Sequence, residues 1–183
     1  MDHAETKLGV PLGFLGSKSA GAHLGLLVAL HLLQPPKKQH SNFAFKGILL
    51  HFGPYDLTFT PQAINLKNPM PLVLDIDLMI HFREAFVPGM GVEEMKHPSV
   101  SPLYADLYGL RLPPVLFTCG TEDSLLDDTV FMSTKWMMAG GEAIVKIVPG
   151  GPHGYIMFPE NMVGSGAKEG IDAVRQFINS KLS

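Results

Sequence analysis

The sequence predicts an α/β fold: a mostly parallel sheet of about four strands with flanking helices and a lid-like insertion. Two observations predict it. Short apolar runs alternate with longer helical stretches, which is the pattern of βαβ units. The runs are largely apolar, as strands buried on both faces are. The chain has 183 residues, enough for one domain with a real core. A hydrophobic content of 46% against 17% charged residues describes a folding chain rather than a disordered one.

Taken in order, Gly9 to Gly16 is a short apolar run, and a strand is expected at about Val10 to Leu15. Ala20 to Leu33, rich in Ala and Leu, reads as a buried helix stopped by Gln34-Pro35-Pro36. Phe45 to Phe52 is a strand that closes in the turn Gly53-Pro54-Tyr55-Asp56. Residues 57–111 are Pro- and Met-rich, with one clear helix at Leu78 to Phe86, and read as a cap or lid-like insertion in a single domain spanning 1–183. Val115 to Gly120 is a continuous apolar strand, and Leu125 to Ala139 a helix ended by Gly140-Gly141. Ala143 to Val148 is a strand followed by a Pro-Gly-Gly-Pro-His-Gly loop. A last amphipathic helix runs from near Ser165 or Gly166 to Ile178.

Composition narrows the function. A net charge of -3 and scattered Lys and Arg give no footprint for nucleic acid. No apolar run reaches the roughly 18 residues of a membrane span. The first residues, MDHAETK, lack the apolar core of a signal peptide, so a cytoplasmic location is expected. One cysteine, Cys119, excludes an internal disulfide and offers no CxxC metal spacing; a buried thiol is expected there.

In open parallel sheets, ligands bind at the carboxyl ends of the strands. Three reactive groups follow strand ends here. Ser19 lies between a strand and a helix, where a sharp turn exposes a hydroxyl and the helix N-terminus offers free N–H groups to an oxyanion. The competing view is that Ser17 or Ser19 only caps the helix. Serine needs a base, and the base needs an orienting carboxylate. Of eight histidines, only His153 occupies a Gly/Pro-rich loop directly after a strand. His23 and His31 read as packed or surface side chains. Asp123 follows the Val115–Gly120 strand, with Asp56 as the main rival. Asp127 and Asp128 read as charges complementing a helix N-terminus.

These residues resemble the hormone-sensitive-lipase-like esterases of the α/β-hydrolase fold, as a C-terminal portion of it. Lys18-Ser19-Ala20-Gly21 is similar to that family's GDSAG nucleophile motif. Ser99-Val-Ser-Pro-Leu-Tyr-Ala-Asp-Leu and Leu112-Pro-Pro-Val-Leu resemble the approach to its acid-bearing strand. Gly120-Thr-Glu-Asp-Ser-Leu-Leu-Asp-Asp resembles its acid loop, and Gly151-Pro-His-Gly-Tyr its histidine loop. The order Ser, Asp, His is also that of the fold. The resemblance implies a serine hydrolase of small carboxylic esters with Ser19, Asp123 and His153 as triad and no metal or organic cofactor. A ligand-binding relative without activity is the alternative, and a peptidase a more distant one.

Ala20 is expected to supply one oxyanion N–H, and Tyr55, Phe82, Phe86 and Tyr155, with Phe52 and Phe158, to line the substrate site. Methionines 70, 79, 90 and 95 suit an adaptable lid. Three departures stand out. Ser17 replaces the motif's first Gly, Lys18 replaces its acidic residue, and no HGGG-type segment lies in the 18 residues before Ser19. The first strand would then be an exposed apolar edge. A truncated chain is therefore expected, completed by a missing N-terminal segment or a second chain.

Overall fold

The computed structural model describes residues 7, 9–10, 12–34, 44–66, 73–162 and 164–182. The Pro35-Pro36 stop, Lys37-Lys38, His3, His40, Pro11 and Met70 lie outside them. Among the described residues the elements run β1 (Phe14–Lys18), α1 (Ala20–Leu33), β2 (Gly47–His51), α2 (Pro61–Asn65), α3 (Ile76–Phe86), α4 (Val92–Met95), a 3₁₀ turn (Pro102–Tyr104), β3 (Val115–Glu122), α5 (Leu126–Met138), β4 (Ala143–Pro152), a second 3₁₀ turn (Tyr155–Met157) and α6 (Ala167–Leu182).

The four strands form one sheet in the order β1-β2-β3-β4, all parallel. Period-two alternation divides its side chains between two helical layers. Ile48, Leu50, Val115 and Phe117 face one side, where Ala22, Leu26, Ala29 and Leu30 of α1 and Met132 and Trp136 of α5 complete the main core. Leu49 and Leu116 face the other side and pack on Phe177 of α6, with Phe14 of β1 beside them. Trp136 is fully buried, and its indole N–H donates to the carbonyl of Pro113 at 3.1 Å.

Strands β1 and β4 differ most from expectation in extent. Pairing of β1 begins where the Lys46 N–H donates to the Gly13 carbonyl, and the ladder carries on through the polar Ser17 and Lys18, opposite Leu50 and His51. Ladder geometry extends the strand past the end of the apolar run. Strand β4 likewise continues through Pro149-Gly-Gly-Pro152, where an irregularity between Gly120 and Glu122 lets Glu122 pair with Pro152. A Cβ on Gly120 would stand 1.8 Å from the Gly151 carbonyl oxygen, so only glycine admits this backbone approach.

The described residues of the 57–111 segment carry more helix than its composition suggests, with α2, α3, α4 and a 3₁₀ turn. Its first part forms small clusters of its own: Leu57, Val87 and Met95 in one, Ala63 and Met79 with Leu125 in another. In its last part, Ala105 and Leu107 are buried in the main core.

Candidate active site

The turn from β1 into α1 is strained. Ser19 has φ 51° and ψ −131°, a region that non-glycine residues rarely occupy. The Ser19 N–H donates to the His51 carbonyl at 2.9 Å, which fixes the turn to the end of β2. Neither serine caps the helix. Ser19 makes no side-chain cap bond, and the Ser17 hydroxyl is buried without a hydrogen-bond partner. It presses on α1, where a Cβ on Gly25 would lie 2.5 Å from the Ser17 Oγ.

The Ser19 Oγ is 2.9 Å from His153 Nε2. On the far side of the ring, His153 Nδ1 is 3.1 and 3.0 Å from the two carboxylate oxygens of Asp123. With Nδ1–H donated to the carboxylate, Nε2 is left as the acceptor for the serine hydroxyl. Asp123 is fully buried and His153 is 7% exposed. Asp123 Oδ1 also accepts the Leu125 N–H at 2.9 Å, which sets the loop ahead of α5. The residues converge because β1, β3 and β4 are parallel, so the segments that follow them emerge at one end of the sheet.

Asp56, the rival acid, is engaged elsewhere. Its carboxylate accepts from the Thr58 N–H and hydroxyl and from the Tyr104 hydroxyl. Asp127 and Asp128 lie in the first turn of α5, as expected, and each also holds a distant backbone segment. Asp127 accepts the Gln62 N–H, while Asp128, 1% exposed, accepts the N–H groups of Tyr55 and Asp56 and the Thr60 hydroxyl. The two carboxylates hold the segment that leaves β2, a role that needs tertiary structure to be seen. Burial without a cation pushes the Asp128 carboxyl up to about 7.

The aromatic candidates fall into two groups. Tyr55 is a core residue, fully buried and edge-on to Phe117 at 6.0 Å, so its ring has no surface to offer a ligand. Tyr155 is also fully buried, packed with Phe52, Cys119 and Val148 behind His153; burial raises its hydroxyl to about 12. Phe82 and Phe86 are exposed on α3, and Phe86 meets His23 edge-on at 5.6 Å, one turn along α1 from Ser19. His23 is buried and bonded to the Val100 carbonyl through Nε2. His51 bonds to the Thr118 hydroxyl, and burial with Lys18 nearby lowers it to about 4. The Lys18 ammonium donates to the Met157 sulfur at 2.7 Å. Cys119 is a buried free thiol. Among the described residues, no three His, Cys, Asp or Glu side chains gather as a metal ligand set, and no helix is long and apolar enough to cross a membrane.

A family model described as the alpha/beta hydrolase fold matches residues 4–157. The chain belongs to that family. Within the α/β-hydrolase family, it is 29% identical over 169 residues to a protein named esterase from Acinetobacter venetianus, a match that covers 91% of this chain and 51% of the relative. Among solved structures, a hormone-sensitive lipase from a metagenome library is 26% identical with a TM-score of 0.76, over 92% of this chain and 54% of that one. A hyperthermophilic esterase from the archaeon Pyrobaculum calidifontis shares the fold at 24% identity and a TM-score of 0.77, over 98% and 57%. This chain thus spans about half the length of the α/β hydrolases it matches.

Proposed function

We propose that the chain is the C-terminal part of a serine hydrolase of carboxylic esters, with Ser19 as nucleophile, His153 as base and Asp123 as the residue that orients it. The single observation that carries the proposal is the hydrogen-bonded series from Ser19 through His153 to buried Asp123. Ser19 Oγ attacks the ester carbonyl carbon while its proton passes to His153 Nε2. The tetrahedral intermediate collapses, and the alcohol leaves with that proton. Water then gives a proton to Nε2 and attacks the acyl-serine, which releases the acid and restores the hydroxyl. Nothing in this sequence of steps calls on a metal or organic cofactor. Asp123 stabilises the imidazolium formed at each step, and its burial keeps that attraction unscreened.

Ala20 is the first residue of α1, so its N–H has no acceptor within the helix and serves as one oxyanion donor. Losing a donor costs about 10²–10³ in rate, so the 183-residue chain by itself turns esters over slowly. The remaining donors come from a segment that pairs with the outer edge of β1, either an N-terminal segment or a second chain. The exposure of Val10, Leu12, Leu24 and Val28 around that edge supports such a partner. Phe82 and Phe86, both exposed on α3, with Phe86 against His23 of α1, are the aromatic contacts for substrate.

A second reading, a non-catalytic relative that binds a small apolar ligand, is favoured by Ser17 and Lys18, which stand where the family's nucleophile motif has Gly and an acidic residue. Hydrolysis of p-nitrophenyl butanoate by the folded chain, abolished in Ser19→Ala, supports the esterase. Preference for peptide anilides would move the proposal to a peptidase. A folded chain without turnover that binds short acyl ligands would favour the second reading.

A further inference from the structure

Phe52 is the first residue after β2, and its backbone breaks the rule of the strand. Ile48 and Leu50 face the main core, so period-two alternation would send residue 52 to the same face. It goes elsewhere. Its φ of 39° lies in the left-handed region, a true outlier for a bulky aromatic residue. That turn carries the ring into a separate cluster with Cys119, Val148 and Tyr155, where it is fully buried. There it meets the His153 imidazole at 4.9 Å between centroids and 70° between planes, and Tyr155 at 5.9 Å.

The backbone of this turn is fixed on both sides. The Phe52 N–H donates to the Thr118 carbonyl of β3 at 2.7 Å, and the preceding carbonyl, of His51, accepts the Ser19 N–H at 2.9 Å. The unfavourable backbone is thus held by its neighbours, as strain at functional sites must be. Gly53 follows, where a Cβ would stand 2.7 Å from the Tyr55 ring, so the residue after Phe52 must lack a side chain.

The polar contacts of His153 leave one motion unopposed. Ser19 and Asp123 bind its two nitrogens, and hydrogen bonds to an imidazole are strongest along the N–H and lone-pair directions in its ring plane. Tilting the imidazole about the axis through them needs a contact outside that plane. The Phe52 ring supplies one. We propose that Phe52 is a positioning residue for His153: its left-handed backbone sets an aromatic ring against the imidazole and holds the tilt at which Nε2 faces the Ser19 hydroxyl. The role rests on the reading of His153 as the base, and Phe52 acts through that ring without touching substrate.

Phe52→Leu and Phe52→Gly test it, with phosphonylation of Ser19 by a fluorophosphonate probe measured per folded molecule and His153 ring signals followed by NMR. Leucine keeps apolar bulk without a flat ring, and glycine relieves the backbone but leaves nothing beside the imidazole. Both are expected to slow labelling by about tenfold to a hundredfold, the range for a misplaced catalytic group, and to broaden or shift the His153 signals. A role in packing alone predicts lower stability with labelling unchanged. Labelling of Phe52→Leu within about twofold of the parent, with unchanged ring signals, would overturn the proposal.

Should both variants fail to fold, nuclear Overhauser contacts between the Phe52 and His153 ring protons in the parent chain decide it, and their absence overturns it. A folded parent that is not labelled counts against Ser19 as nucleophile. The ring signals and the inter-ring contacts then judge Phe52 alone.

Discussion

Asp128→Asn tests the least expected charge in the molecule. Asp128 is 1% exposed, accepts two backbone N–H groups through Oδ1 and the Thr60 hydroxyl through Oδ2, and has its carboxyl raised from 3.8 to about 7 by burial. Between those values the folded protein keeps a proton that the unfolded chain has lost. Stability therefore falls as pH rises from about 4 to about 7 and levels off above. At about 1.4 kcal/mol per unit, the loss amounts to about 4 kcal/mol, the cost of burial less what the three donors already recover. Asparagine keeps the Oδ1 acceptor for both N–H groups and directs its amide at the Thr60 oxygen, which rotates to accept.

The variant carries no charge to bury, so this decline disappears from its stability curve. Denaturant unfolding of parent and variant at pH 5 and pH 8 measures the difference directly. The variant gains on the parent as pH rises. A variant several kcal/mol less stable than the parent at pH 8, by a margin that grows with pH, would show that the carboxylate charge is needed and refute the reasoning.

Further outcomes follow from single contacts. Ser17→Ala removes a buried hydroxyl without a partner and raises stability by roughly 1 kcal/mol, read as a higher denaturant midpoint with unchanged slope; a loss would mean that the hydroxyl is bonded. Gly120→Ala drives a methyl into the Gly151 carbonyl and gives little folded protein, whereas a stable, labelled variant would contradict the close approach of β3 and β4. His51 is held neutral, with its value lowered to about 4. The unfolded chain takes up a proton below about 6.5 and the folded one does not, so this histidine costs stability as pH falls, up to about 3 kcal/mol. His51→Gln makes unfolding less acid-sensitive between pH 6.5 and 4, and an unchanged acid limb would argue against a buried neutral ring.

Much of the fold was legible in the sequence because parallel strands and buried helices leave continuous apolar runs. The stretches around β2, β3, α1 and α5 show it: Gly47–His51 and Val115–Gly120 are largely apolar, and Ala20–Leu33 has no proline. The bounds of β1 and β4 were not legible, since Ser17, Lys18 and Gly150-Gly151 are held in the ladder by their partners rather than by their own propensity. At the site, small residues around Ser19 and the glycine loop around His153 carried a readable signal. The burial of Tyr55 and Tyr155 did not, because an aromatic residue after a strand end reads alike whether it lines a pocket or fills the core.

Asp128 escaped for the same kind of reason, as its donors lie about seventy residues away. A signal for Phe52 was present in hindsight: the Gly53-Pro54 turn directly after a strand marks a place where alternation must break.

Mapping a fluorophosphonate adduct by peptide mass, in the parent and in His153→Ala, tests most directly whether the hydroxyl of residue 19 is activated by the imidazole beside it. The expected result is one adduct, on Ser19, forming at least about a hundredfold more slowly once the base is gone. An adduct on a different serine, or on Ser19 at the same rate in both proteins, would contradict a proton transfer between the two side chains.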